Sequence, residues 1–333
     1  MNSTPNRSFR AAIPWLVLAL AALPAGCGKE STVTPVPDCA GIHLLVLASD
    51  RNVAAGLFDV YLYDLDAGGF RVIALNSTSA DVNPAITRDG GAIAVQTHRA
   101  ITGQDVRVYD RCTASFLDRP ELATAFDESD PTFSGNANLL AFVRDTLGHG
   151  RLRVLDGLNR RFVPLPLLDA QAAGNSFDDH GPTLDQTGRL IAFTTNRGGN
   201  DDVWIYDRTG DSVLTLPELA TAAAELEPSI TPDGRYLAFA SDRAGGDGGF
   251  DVYLYDLQTR AMVATAGLNS PADDRHPAVN TDAGLIVFES NRTGTGAQGG
   301  IDVWNYNRSG GVVAQGIQQS SAASDVDPAL AWP

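Results

Sequence analysis

The sequence predicts an all-β fold, a six-bladed β-propeller of four-stranded blades, and two repeating markers carry the prediction. The first is an acidic residue followed three places later by proline. It occurs at Asp81–Pro84, Glu128–Pro131, Asp179–Pro182, Glu225–Pro228, Asp274–Pro277 and Asp325–Pro328, with the prolines 47, 51, 46, 49 and 51 residues apart. The second is an alternating apolar segment at Asp59–Asp64, Asp105–Asp110, Arg151–Asp156, Asp202–Asp207, Asp251–Asp256 and Asp302–Asn307. A period of about 50 residues with several short strands per unit is the signature of a propeller, one unit per blade.

The copy opened by Glu225 shows the strands most clearly. Pro228 to Thr231 reads as a short inner strand, Pro232-Asp233-Gly234 as a tight turn, and Tyr236 to Ser241 as the second strand. A glycine-rich loop, Asp242 to Phe250, leads to the third strand at Asp251–Asp256; Leu257 to Arg260 turns, and Ala261 to Ala266 is the fourth. No segment keeps a helical period, and alanine-rich Pro217 to Glu225 reads as a connection between blades. The first copy starts at Ile42 to Ala48, a second strand with no inner strand before it, whereas the last copy has only the inner strand Asp325 to Trp332. Pairing these ends completes a blade and closes the ring.

Residues 1–26 read as a secretory signal: Arg7 and Arg10 precede an apolar run, Ala11 to Leu23, too short to span a bilayer. The segment Leu23-Pro24-Ala25-Gly26-Cys27 resembles the lipobox of bacterial lipoproteins, with Pro24 where an aliphatic residue is usual. The resemblance implies lipidation of Cys27, and Gly28 after it favours the outer membrane. The alternative is an ordinary signal peptide that leaves Cys27 as a free thiol. Residues 27–41 form the anchor and a proline-containing tether, and residues 42–333 the propeller. In an oxidising compartment Cys39 and Cys112 can form a disulfide; two buried thiols are the alternative.

The marker pattern, with its "PDG" turn, "AFASDR" strand and "DVYLYD" strand, resembles the TolB-type propeller, also called the WD-like or PD repeat, across essentially all of 42–333. Arg197 and Arg243 follow the second strand as that family's pattern expects. The copy opened by Glu128 departs from it: Thr146 stands where Arg51, Arg99, Arg197, Arg243 and Arg292 stand elsewhere, and Arg151 replaces the aspartate that opens the third strand. The resemblance implies the propeller type and leaves function open, because the same repeat serves translocation accessories, peptidase-attached propellers and lipoproteins.

Forty acids against 24 bases give a net charge of −16, which disfavours nucleic acid as a partner. The chain contains no G-x-S-x-G, H-E-x-x-H, C-x-x-C or P-loop string, so no catalytic residue, cofactor or metal is expected from motifs. His43, His98, His149, His180 and His276 are scattered; His180 and His276 stand just before Pro182 and Pro277, as site candidates or as solvated loop residues.

The acids Asp81, Glu128, Asp179, Glu225, Asp274 and Asp325 are expected around the mouth of the central channel, on the face to which Arg51, Arg99, Arg197, Arg243 and Arg292 return. Two readings follow. The carboxylates and arginines can form ion pairs that fix blade geometry. They can instead form an acidic rim for a cation or basic segment, helped by Asp127, Asp130, Asp178, Glu227, Asp273 and Asp327. The third-strand aromatics, such as Tyr206 and Tyr255, are expected to pack blade against blade.

The function read from these features is a non-catalytic binding scaffold of the cell envelope. It is expected to be a monomer held to the outer membrane by lipid alone, facing the periplasm or the cell surface, with an envelope protein or basic peptide segment as partner. The alternatives are a metal-assisted lyase or hydrolase acting on an oligosaccharide at the channel mouth, through His180 and His276, and a purely structural envelope protein.

Overall fold

The computed structural model describes residues 43–51, 57–99, 103–293, 300–315 and 324–332. The signal, Cys27, the tether and Cys39 lie outside them, as does the side chain of Arg99. Six antiparallel four-stranded sheets are present. From the inner strand outward, blade 2 is Asp81–Ile86, Ala92–Arg99, Gly103–Asp110 and Ser115–Phe116; blade 3 is Glu128–Phe133, Leu139–Asp145, Gly150–Asp156 and Arg161–Phe162. Blade 4 is Asp179–Leu184, Leu190–Thr195, Asp202–Asp207 and Ser212–Val213, and blade 5 is Glu225–Ile230, Tyr236–Ser241, Asp251–Asp256 and Ala261–Val263. Blade 6 is Asp274–Val279, Leu285–Ser290, Asp302–Asn307 and Val312–Gln315.

Blade 1 draws on both ends of the chain, in the order Asp325–Ala331, Leu44–Ser49, Asp59–Asp64, Gly69–Arg71. Leu44 faces Ala331 and Ser49 faces Asp325 in an antiparallel ladder, so the ring closes as the missing inner strand predicts.

Inner strands begin at the acid, as predicted for Asp325; in the copy opened by Glu225 this is three residues before the predicted start at Pro228, because a β-bulge carries the chain past that proline. The register slips between Val82 and Ala85, Ser129 and Thr132, His180 and Thr183, Leu226 and Ser229, and Arg275 and Ala278. Proline has no N–H to give the ladder and disfavours right-handed helical geometry in the residue before it. The pre-proline residue adopts left-handed geometry instead, with φ of 47° at Asn83, 51° at Asp130, 49° at Gly181, 55° at Glu227, 45° at His276 and 53° at Asp327. Such a bulge re-aims a side chain. Here it turns one residue per blade toward the central axis.

The apolar core lies between blades. Leu139, Leu152 and Val154 of blade 3 pack with Leu184, Ile191, Phe193 and Tyr206 of blade 4, and the third-strand tyrosines Tyr206, Tyr255 and Tyr306 are fully buried. One short helix, Pro166–Ala172, follows blade 3 and sinks Leu168 into the same cluster. Seven residues hold too few turns to show a period in sequence. The Pro217–Glu225 connection contains a single 3-10 turn, Pro217–Leu219. No helix among the described residues is long and apolar enough to cross a membrane.

Candidate functional site at the blade junctions and central channel

All six opening acids are buried, each 2% exposed or less, and none lines the channel. This corrects the expected channel-mouth ring. The bulge turns the chain two residues beyond the acid, so the acid stays in the seam with the preceding blade. In four blades it meets there an arginine two places beyond its own second strand: Arg51 with Asp325 at 2.5 Å, Arg197 with Asp179 at 3.0 Å, Arg243 with Glu225 at 3.1 Å and Arg292 with Asp274 at 2.7 Å; the arginine expected for Asp81 is Arg99, whose side chain lies outside the described residues. Each of these guanidiniums also lies over an aromatic ring of the third strand, such as Tyr253 under Arg243 at 4.7 Å and Trp304 under Arg292 at 5.1 Å. The alternation of that strand thereby supplies both core packing and a cation–π floor.

In blade 3, where Thr146 breaks the arginine pattern, Arg144 donates its Nε–H to Glu128 Oε1 at 2.9 Å. The pair is kept with the arginine moved two places. Arg151, in place of the third-strand aspartate, donates to the carbonyls of Asn175 and Phe177 and stacks on Phe177 at 4.2 Å beside Arg197 at 4.0 Å. It therefore holds the loop that enters blade 4.

Elsewhere the third-strand aspartate lies near the opening acid of the next blade, so two carboxylates are brought together at the junction. Asp202, 4% exposed, is pushed up to about 6 by burial and by the Glu225 carboxylate. A carboxyl raised in the folded state contributes stability below about pH 4, and that contribution is lost as pH rises through about 6. At roughly 1.4 kcal/mol per unit it amounts to about 3 kcal/mol. The advantage of Asp202→Asn over wild type in melting temperature is therefore expected to grow between pH 4 and 7. A difference that stays level across this range contradicts the assignment.

The channel itself encloses about 500 Å³ and is lined by the pre-proline residues. Acids alternate with other residues around it: Asn83, Asp130, Gly181, Glu227, His276, Asp327. Each acid accepts the backbone N–H of the next pre-proline residue, Asp130 from Gly181 at 3.1 Å, Glu227 from His276 at 2.8 Å and Asp327 from Asn83 at 3.2 Å. The N–H of each acid goes to a second-strand side chain of the preceding blade: Asp130 to Gln96, Glu227 to Thr194 and Asp327 to Glu289. Each acid thus ties its own blade to both neighbours, and the three acids together link all six blade junctions. Asp127, Asp178 and Asp273 point elsewhere, accepting the N–H groups of Gln104, Gly150 and Phe250 at the start of the preceding third strand.

His276 sits where carboxylates crowd. Its Nδ1 is 3.2 Å from Glu289, and its Nε2 is 3.3 Å from Glu227 and 3.9 Å from Asp327, while Arg275 pairs with Glu227 at 2.6 Å. Burial alone lowers the imidazole, but Glu289 and Glu227 overcome it and push His276 up to about 10; burial and the Glu289 charge push Asp327 up to about 7. His180 also lines the channel, exposed, and does not join this cluster. At the other end Arg88 reaches across the axis from blade 2, donating to Trp332 O of blade 1 at 2.9 Å, Gln186 of blade 4 at 3.1 Å and Thr281 of blade 6 at 3.5 Å. The channel is crossed at that end and acidic at the other.

Comparison of this ring with solved structures gives TolB from Acinetobacter baumannii at a TM-score of 0.64 and 17% identity, over 87% of this chain and 67% of that one. A putative TolB from Agrobacterium tumefaciens follows at 0.59 and 14%, over 83% and 88%. The fold is that of the TolB propeller. An oligogalacturonate lyase from Vibrio parahaemolyticus is also similar, at 0.50 and 14% over 81% of this chain and 73% of its own. No protein-family model and no curated protein sequence matches the chain.

Within this TolB-type propeller, two features escape the marker reading. The pre-proline residues carry no common chemistry, so only the bulge unites them. A serine or threonine four places before the acid, Ser77, Thr124, Thr221 and Ser270, donates to Asp81, Glu128, Glu225 and Asp274. That spacing is visible in sequence as an extension of the acid–proline marker. Cys112 is disulfide-bonded, and the chain's other cysteines, Cys27 and Cys39, both lie outside the described residues.

Proposed function

We propose that this protein is a lipid-anchored, non-catalytic binding scaffold of the cell envelope, whose channel mouth receives a basic segment of a partner protein. The observation that carries the reading is the pre-proline ring: Asp130, Glu227 and Asp327 face one mouth of a channel that Arg88 crosses at its other end. A blind acidic opening on a rigid ring suits capture of a cationic segment better than passage through the axis. The signal and lipobox-like segment support an envelope location, and the likeness to two TolB structures supports the scaffold class.

A photo-crosslinking residue in place of His180, at the mouth, is expected to trap a protein partner in living cells. The same residue in place of Val72, exposed on blade 1 away from the channel lining, is expected to trap none. Adducts from Val72 alone contradict the reading. Replacing Cys27 by alanine is expected to move the folded protein from the membrane to the soluble exported fraction; retention in the pellet after a high-salt wash refutes the anchor. The carboxylates around His276 favour a second reading, a metal-assisted lyase or hydrolase acting on an oligosaccharide. Turnover of an acidic oligosaccharide that His276→Asn abolishes would replace the scaffold with this enzyme.

A further inference from the structure

We propose that the mouth of the channel binds one zinc-type divalent cation through His276, Glu289 and Asp327. One ring nitrogen and one oxygen from each carboxylate lie within 4.8 Å of one another, the only such group among the described residues. Ligands about 2.1 Å from a tetrahedral ion stand roughly 3.4 Å apart, so binding draws these atoms in by roughly an ångström.

The carboxylates are held for this task by their own backbone contacts. Glu289, whose side chain is 7% exposed, spends Oε1 on the Asp327 N–H and presents Oε2 to the imidazole at 3.2 Å. Asp327 spends Oδ2 on the Asn83 N–H and presents Oδ1 toward the same ring at 3.9 Å. Glu227 spends Oε2 on the His276 N–H and keeps Oε1 at 3.3 Å from Nε2, at the edge of the site. Such outer hydrogen bonds orient ligands and raise their affinity for metal.

The threefold pattern of the ring supplies an internal comparison. The position of Glu289 is taken by Gln96 and Thr194 in the other two thirds, and the position of His276 by Asn83 and Gly181. The backbone lock is therefore common to all three, whereas an imidazole with two free carboxylate oxygens occurs in one. Among the described residues, the three carboxylates pair with just two cationic side chains, His276 and Arg275, so a divalent cation supplies charge that the cluster lacks. The mixed nitrogen and oxygen set favours zinc over calcium, which takes six to eight oxygens. Asp130, on the opposite side of the ring, remains for the partner.

Titration calorimetry of the metal-free full chain with zinc(II) is expected to show one equivalent bound, with calcium(II) at least tenfold weaker. His276→Asn, chosen because asparagine tolerates the left-handed backbone here, is expected to weaken zinc at least tenfold with an unchanged circular dichroism spectrum. Asp327→Asn is expected to do the same and serves should His276→Asn fail to fold; Asp66→Asn, at the exposed His43–Asp66 pair, is expected to leave binding unchanged. No saturable zinc binding, equal binding by the His276 and Asp327 variants, or equal affinity for calcium overturns the site.

Discussion

Removing residues 324–333 is expected to abolish cooperative folding. The deletion takes the inner strand of blade 1 and leaves Leu44–Ser49, buried along its whole length, as an open edge at the ring's closure. Arg51 loses Asp325, Arg88 loses its bond to Trp332 O, and His43 loses the Trp332 ring stacked on it at 3.8 Å. A ring has no weak end from which to fray, so the loss is not local. An unpaired apolar strand also invites association with other chains. Domains of this kind are stable by about 5–15 kcal/mol, and one strand of core, edge and ion pair is a large share of that. Calorimetry is expected to show no cooperative transition, with aggregates on size exclusion. A truncated chain that melts like wild type contradicts closure by both chain ends.

The second large effect is expected at the blade junctions. Asp274→Ala leaves Arg292, 13% exposed, without its carboxylate, and removes the acceptor for the Ser270 N–H. Breaking a buried pair from one side costs about 3–5 kcal/mol, because the remaining charge stays out of water. Asp66→Ala, which breaks the pair with His43 at a residue 55% exposed, is expected to leave the denaturation midpoint almost unchanged, because water screens that pair. Chemical denaturation of both variants separates a structural carboxylate from a surface one. Equal midpoints contradict the junction role.

The propeller was legible because its signals are local and repeated. Tyr236–Ser241 and Asp251–Asp256 form the strands predicted for them, since alternation and turn residues act over a few positions. The fourth strand predicted at Ala261 to Ala266 stops at Val263, where the outermost strand has a partner on one side only. The opening acids were legible as a set but misplaced by one seam. A bulge shifts which residue faces the axis, and nothing in the acidic residue itself reports the φ of the residue two places later. Arg144 was hidden by the assumption of constant spacing, although the register that sets Glu128 opposite Arg144 satisfies the same charge. Of the His276 cluster, His276, Glu227 and Asp327 were legible as candidates near the channel mouth, whereas Glu289 was not, because it comes from a second strand 13 places from His276 and carries no marker.

Recognition is expected to reside in the pre-proline ring and not in the buried acids behind it, and Asp130→Asn separates the two. Asparagine keeps an oxygen to accept the Gly181 N–H and removes the charge that faces the channel, giving up the bond that Asn83 Nδ2 donates to Asp130 Oδ1 at 2.8 Å while Asn83 Nδ2 still donates to Gln96. Binding of the crosslinked partner should weaken at least tenfold at low salt, with the difference shrinking as ionic strength rises and the melting temperature lowered only slightly by the lost Asn83 bond. Undiminished binding by Asp130→Asn, at every salt concentration, contradicts the account.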